Sequence, residues 1–208
     1  KRAEAASGEG EERQAFLLSL SDALTSLIVP GDVAALATKR LRERLQADRV
    51  YYGEIRGNML TVEKDHTNGV PSLVGEHSLE ALGQDFIAAY QPGALIVAEN
   101  IEQDSRLSEG ARAMLRDEQI AAFVDAVLFE ESGQVIVLAV QSATPRAWSA
   151  SEQVLIKEAA ERLRSAVLKA RALTALRESE ARFRKFGDAS QDILWLRDAE
   201  ALQWQYLT

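Results

Sequence analysis

The sequence predicts an α+β domain: an antiparallel sheet with helices on both faces and a long helix at its C-terminal end. Three observations carry this. Residues 12–45 show apolar side chains at helical spacing. Two later segments switch to period two around tight turns, the signature of hairpins. From Ser149 no Pro or Gly occurs until Gly187.

The elements follow in order. Residues 1–11 are small and polar and are expected to form a flexible lead-in. Phe16, Leu20, Leu24 and Ile28 then recur every four residues until Pro30-Gly31 breaks the helix. Asp32 suits the N-cap of a second helix, with Val33, Leu36, Ala37, Leu41 and Leu45 as its apolar stripe. Val50–Ile55 and Met59–Glu63 form a hairpin across Gly57-Asn58. Ser78 is placed to cap a helix over Leu79–Tyr90, which Pro92-Gly93 ends. Leu95–Val97 is a short strand, and a loop at Asp104–Gly110 leads into a short helix with Met114 and Leu115. Ala122–Phe129 and Val135–Val140 form a second hairpin. Its second strand is apolar at nearly every position, so it belongs at the centre, covered on both faces. Ser149 and Glu152 have capping-box spacing, and Ile156, Ala159, Ala160, Leu163, Val167, Ala170 and Leu173 give the last helix one stripe. Two neighbouring antiparallel hairpins, rather than alternating βαβ units, argue against a doubly wound nucleotide fold.

Composition narrows the chemistry. The chain has 208 residues, 47% of them apolar and 27% charged, near the average of soluble globular proteins. The absence of cysteine excludes disulfides, thiolate metal sites and cysteine nucleophiles. A net charge of −8 argues against a large nucleic-acid footprint. No apolar run is long enough to span a membrane, and no signal-peptide pattern opens the chain. The start at Lys1 suggests a piece of a longer protein. Residues 150–186 carry nine Lys/Arg against five Asp/Glu, so an acidic body leads into a mildly basic helix.

The segment from Glu12 to Ala172 resembles a GAF domain. The resemblance rests on the helix pair before Ala47–Tyr52, the loop-strand-loop Leu95–Arg106, and Phe123–Val140 followed by Trp148–Glu152. Leu176–Arg184 and Ala189–Trp195 resemble the opening of a PAS domain. The resemblance thus divides the chain into a lead-in (1–11), a GAF domain (12–172), a connector helix (173–186) and a truncated PAS start (187–208). It implies a non-enzymatic input domain of a cytoplasmic sensor, most often a histidine kinase, with PAS and kinase domains downstream in the same chain. It further implies a small ligand between the sheet and the short helices. Covalent bilin attachment uses a cysteine in that family and is expected to be excluded here, leaving the cofactor unknown. The Asn-Lys, Phe and Asp-Glu signature of the cyclic-nucleotide branch is missing: Ile101 follows Asn100, and Phe123 precedes Asp125 without a Glu.

Candidate ligand residues occupy places that family members use as pocket walls. Asp125 interrupts an apolar strand, and a carboxylate there must be paired or face a wet cavity. Phe123 lies two residues before it. Tyr52 and Glu54 share one strand face, Tyr51 and Ile55 the other. Arg106, in Asp104-Ser105-Arg106, has reach toward an anion, although that turn also suits local capping. His66 and His77 match no trusted metal-ligand spacing. A homodimer is expected through helices Phe16–Ile28 and Ile156–Leu173, where Ala159, Ala166 and Ala170 permit close approach. The competing reading is a ligand-free dimerisation and spacer module whose cavity is filled by Met59, Phe86, Met114 and Phe123. A stand-alone enzyme would need a nucleophile–base pair or a metal set, and the sequence offers neither.

Overall fold

The computed structural model describes residues 2–129, 134–189, 195–197 and 204–206. Helices α1 (Arg2–Thr25) and α2 (Pro30–Leu45) precede strands β1 (Arg49–Arg56), β2 (Met59–Thr67) and β3 (Gly75–Ser78). A 3-10 turn (Glu80–Leu82) and the single turn α3 (Gln84–Ile87) lead to β4 (Leu95–Ala98) and α4 (Glu109–Asp117). Strands β5 (Ala122–Phe129) and β6 (Val135–Ser142) precede the 40-residue α5 (Ala150–Ala189). The six strands form one antiparallel sheet in the order β3-β2-β1-β6-β5-β4. The expected α+β architecture is present, and β6 is central. Of the segment assigned to a PAS start, β7 (Trp195–Arg197) pairs antiparallel with β8 (Trp204–Tyr206); the rest of that assignment beyond Ala189 lies outside the described residues.

The two faces of the sheet are covered differently. Val50 and Tyr52 of β1, Val124, Ala126 and Leu128 of β5, and Ile136, Leu138 and Val140 of β6 meet α1, α2 and α5. The α5 stripe Ile156, Ala159, Ala160, Leu163, Val167 and Ala170 is wholly consumed in this layer. Ala159 and Ala170, expected to permit close approach in a dimer, are buried within the chain itself. The opposite face presents Tyr51, Ile55, Phe123, Val127, Val137 and Ala139 to α4, the short helical turns and the intervening loops.

Several local expectations are corrected. The lead-in is helical from Arg2, because its Ala, Glu and Arg residues favour helix strongly enough to tolerate Gly8 and Gly10. Pro30, not Asp32, opens α2. Proline suits the first helical position, where no N–H is required, and Asp32 lies in the first turn, where its charge complements the helix dipole. The helix expected over Leu79–Tyr90 is replaced by a 3-10 turn and one α-turn. Gly83, at φ 81°, interrupts it in the left-handed region that glycine tolerates. β3 carries no apolar alternation and was not legible in advance.

Other signals hold at atomic level. The Ser149 and Glu152 side chains reciprocally accept each other's backbone N–H at 3.2 and 2.8 Å. Trp148 is buried at the base of α5, with the Arg146 guanidinium 4.3 Å over its ring. A bulge at Glu63 lets Tyr52 pair with Lys64 while Gly53 pairs with Val62. It sends His66 toward α2, where Nδ1 meets the Thr38 hydroxyl at 3.0 Å, and Asp65 toward the 68–74 loop, where it accepts from Leu73 N at 2.6 Å.

Arg49 is the most deeply buried charged residue, at 1% exposure. Its guanidinium donates to Pro71 O (3.0 and 2.6 Å), Glu118 O (3.0 Å) and Gln141 Oε1 (2.7 Å). It thereby ties the 68–74 loop and the C-terminal end of α4 to the central strands. Burial lowers its pKa from the ordinary value, while Asp65 and Glu118 oppose that shift. Arg49→Ala leaves the buried Gln141 Oε1 and two part-buried carbonyls without this donor and is expected to lower unfolding free energy by about 3 kcal/mol or more in urea titration. Arg49→Lys should recover only part of this, since an ammonium lacks the planar fork.

Candidate functional site

The lightly covered face of the sheet leaves a cavity of about 320 Å³, within the range of small-molecule sites. Its floor is Tyr51 and Ile55 of β1, Phe123 and Asp125 of β5, and Val137 and Gln141 of β6. The walls come from β2 and β3 (Leu60, Glu76, His77, Ser78), from the 79–90 segment (Leu79, Leu82, Phe86, Tyr90) and from α4 and its exit (Met114, Leu115, Glu118, Ile120). Phe86 sits between two rings, tilted against Tyr90 at 6.0 Å and edge-on to Phe123 at 6.4 Å. Met59, considered as a cavity filler, is 38% exposed and lies elsewhere; Phe86, Met114 and Phe123 are walls that leave the space open.

Period two explains how the carboxylate reaches this place. Phe123, Asp125 and Val127 alternate with Val124, Ala126 and Leu128, which face the long helices. Asp125 is 6% exposed. Its Oδ2 accepts from the Tyr90 hydroxyl at 2.6 Å, while its buried Oδ1 has no hydrogen-bond partner. Desolvation pushes its pKa up to about 7, and the Tyr90 hydrogen bond only partly opposes this. Burial, and then the nearby Asp125 charge, raise the Tyr51 and Tyr90 hydroxyls well above their ordinary value. His77 places Nε2 2.8 Å from Leu73 O; a carbonyl can only accept, so Nε2 carries the proton.

Phe123 and Asp125 therefore come together. Tyr52 and Glu54 do not join them: they lie on the helix-bearing face of β1, and Tyr51 takes the cavity position. Tyr52 packs in the helix-side core. Glu54 pairs with Arg171 of α5 and with Arg56, and accepts from Gln134 Nε2. Arg106 is held at the surface. Its Nε donates to Asp104 Oδ1 at 2.9 Å, Nη2 donates to Asp104 Oδ2 and to Val97 O, and its Cζ stands 5.8 Å over the Phe86 ring. That bonding keeps the Asp104 carboxyl below its ordinary range. His66 and His77 face opposite layers, and no metal-binding group of three His, Cys, Asp or Glu occurs among the described residues. Sequence reasoning missed Tyr90 as a site residue, although the Pro92-Gly93 stop fixed the end of its segment. It also missed Gln141, whose strand alternation was hidden by burial on both faces.

The sequence matches no family model and none of the curated proteins compared. Solved structures share its fold. The chromophore-binding domain of a bacteriophytochrome from R. palustris superimposes with a TM-score of 0.66 at 13% identity, covering 82% of this chain and 63% of that one. This chain thus spans less than two thirds of that domain. A phycoerythrobilin-bound GAF domain from a cyanobacterial phytochrome gives 0.64 at 15%, covering 77% and 96%. The GAF domain of a phosphoenolpyruvate-protein phosphotransferase from Coxiella burnetii gives 0.62 at 16%, covering 78% and 96%. At these identities the likeness is one of fold: the chain has the α+β fold of GAF domains. The expectation that the missing cysteine excludes a covalently attached bilin is corrected as a statement about the cofactor, since solved structures of this fold include bilin-bound GAF domains. A missing thiol removes a thioether bond and does not decide whether a cavity accepts a tetrapyrrole.

A buried carboxyl raised from 3.8 to about 7 keeps its proton in the fold at pH values where the unfolded chain has lost it. It therefore withdraws stability as pH rises through that window. Asp125→Asn is expected to raise unfolding free energy by about 2 kcal/mol or more at pH 8 and much less at pH 5, read from denaturant melts at both values. Equal effects at both pH values would contradict the assignment.

Proposed function

We propose that this chain is a ligand-sensing input domain of a cytoplasmic signal-transduction protein, with a histidine kinase as the expected output, and that it does no chemistry itself. One observation carries the reading: an open cavity holds a buried carboxylate with one oxygen unpartnered. A module that only spaces its neighbours has no use for a group that desolvation makes so costly. The bilin-bound and other GAF domains of the same fold support it, and a tetrapyrrole belongs among the ligands to be tested. No described helix is long and apolar enough to cross a membrane.

The route from cavity to output runs through the sheet. β1, β5 and β6 floor the cavity on one face and seat α5 on the other. Glu54, two residues beyond Tyr52 and three beyond Tyr51, holds Arg171 on α5. A ligand that shifts β1 therefore acts on α5 just before it leaves the body of the domain. The downstream PAS and kinase domains would receive that shift.

A homodimer is part of the proposal. The inward stripe of α5 is occupied, so the pairing surface is the outward side of the Phe16–Ile28 and Ile156–Leu173 segments. It continues along the exposed end of α5, where Leu176 and Phe183 stand seven residues apart at 55% and 46% exposure.

Native mass spectrometry on freshly purified protein tests both parts. A dimer mass with a reproducible small-molecule addition is the expected result; a bare monomer contradicts both. With a ligand in hand, Glu54→Gln should leave its affinity within about twofold but abolish the ligand-induced change in amide exchange over residues 171–185.

A further inference from the structure

The cavity wall is chemically one-sided. Asp125, Glu76 and Glu118 line it, and no Lys or Arg does so among the described residues. Two guanidiniums that touch lining residues, Arg49 at Glu118 and Gln141 and Arg106 over the Phe86 ring, are committed elsewhere. Arg49 spends its donors on Pro71 O, Glu118 O and Gln141 Oε1. Arg106 spends its own on Asp104 and Val97 O. An anionic ligand would thus enter beside carboxylates with no Lys or Arg on the described wall to receive it.

The remaining features point the same way. The carboxylate has one oxygen satisfied by Tyr90 and one left without a donor. A ligand with an N–H group supplies what Oδ1 lacks. Around it stand Tyr51, Phe86, Tyr90 and Phe123, rings whose electron-rich faces attract organic cations and whose edges accept an apolar body. Resting on the reading of this cavity as a ligand site, we propose that the ligand is a monocationic organic amine with a compact apolar, preferably aromatic, body. Its ammonium group sits on Asp125 Oδ1 and its body lies among the four rings. Tyr90 also lines the neighbouring cleft formed with Arg56, Gly57, Ile87 and Gln134, so the hydroxyl that holds Oδ2 stands at the boundary between the two spaces.

The test uses probes that differ in charge on one skeleton: 2-phenylethylammonium, 2-phenylethanol and 3-phenylpropionate, with the three matching indol-3-yl compounds as a larger set. Each is titrated calorimetrically into the 208-residue chain, and the Met114 methyl signal is followed by NMR because Met114 lines the cavity. The expected result is that each ammonium binds at least about tenfold more tightly than its alcohol, with the carboxylate weakest. Asp125→Asn should erase the ammonium's advantage over its alcohol. An alcohol or carboxylate that equals or beats its ammonium overturns the ligand class while leaving the cavity as a binding site. An ammonium preference that survives in Asp125→Asn overturns Asp125 as its seat. A Met114 signal unmoved by all six probes at millimolar concentration removes the binding reading itself, and the proposal with it. The wild-type series decides the ligand class without relying on the variant.

Discussion

A central strand buried on both faces has to be covered twice, and the rest of this structure follows from how unequally that is done. β6 is apolar along nearly its whole length, so neither face can be left to water. One face receives three long helices whose stripes pack against Val50, Leu138 and Val140 in one buried cluster. The other receives a 3-10 turn, a four-residue helix, a nine-residue helix and loops. Short elements cannot fill a sheet surface as evenly as long ones, and the shortfall is the cavity. Arg49 keeps that thin layer in place: one guanidinium fastens a loop and a helix end to the strands beneath them.

The same inequality sets the electrostatics. A carboxylate on the helix-bearing face could reach a cation, as Glu54 reaches Arg171. Asp125, one strand face away, has only the Tyr90 hydroxyl. Its desolvation is therefore poorly compensated, which is why its proton affinity rises so far. A group that weakens the empty fold and offers an unsatisfied acceptor to a cavity is the pattern of a site kept for binding rather than for stability.

Among the described residues, the sheet is also the layer shared by the cavity and the long helix. Side chains alternate across β1, so Tyr51 faces one side while Tyr52 and Glu54 face the other. Displacement of one strand is felt on both sides at once, and the Glu54–Arg171 pair gives α5 a polar hold on that strand. Under the proposed signalling role, no separate wire of residues through the core is required between the cavity and α5.

Elements with strong local signals were legible in the sequence: both hairpins, the α2 stripe, the Ser149/Glu152 cap and the unbroken α5, because each depends on neighbours a few residues apart. β3 and the broken 79–90 segment were not, since a short edge strand and a left-handed glycine leave little periodic trace. Asp125 was legible as an anomaly, a carboxylate in an apolar strand, but its meaning was not. Period two divides Tyr51 from Tyr52 into opposite sets, yet nothing local says which set faces helices and which a cavity. The α5 stripe likewise announced a partner, and its buried residues pack on the chain's own sheet. What the sequence determined by itself was the three helical stripes, the two hairpins, the Ser149/Glu152 cap and the alternation within their strands, all fixed by backbone geometry and local side-chain chemistry. Only the tertiary structure decided which face of each strand was filled, because that depends on long-range packing volumes summed over segments as far apart in sequence as α1 and α5.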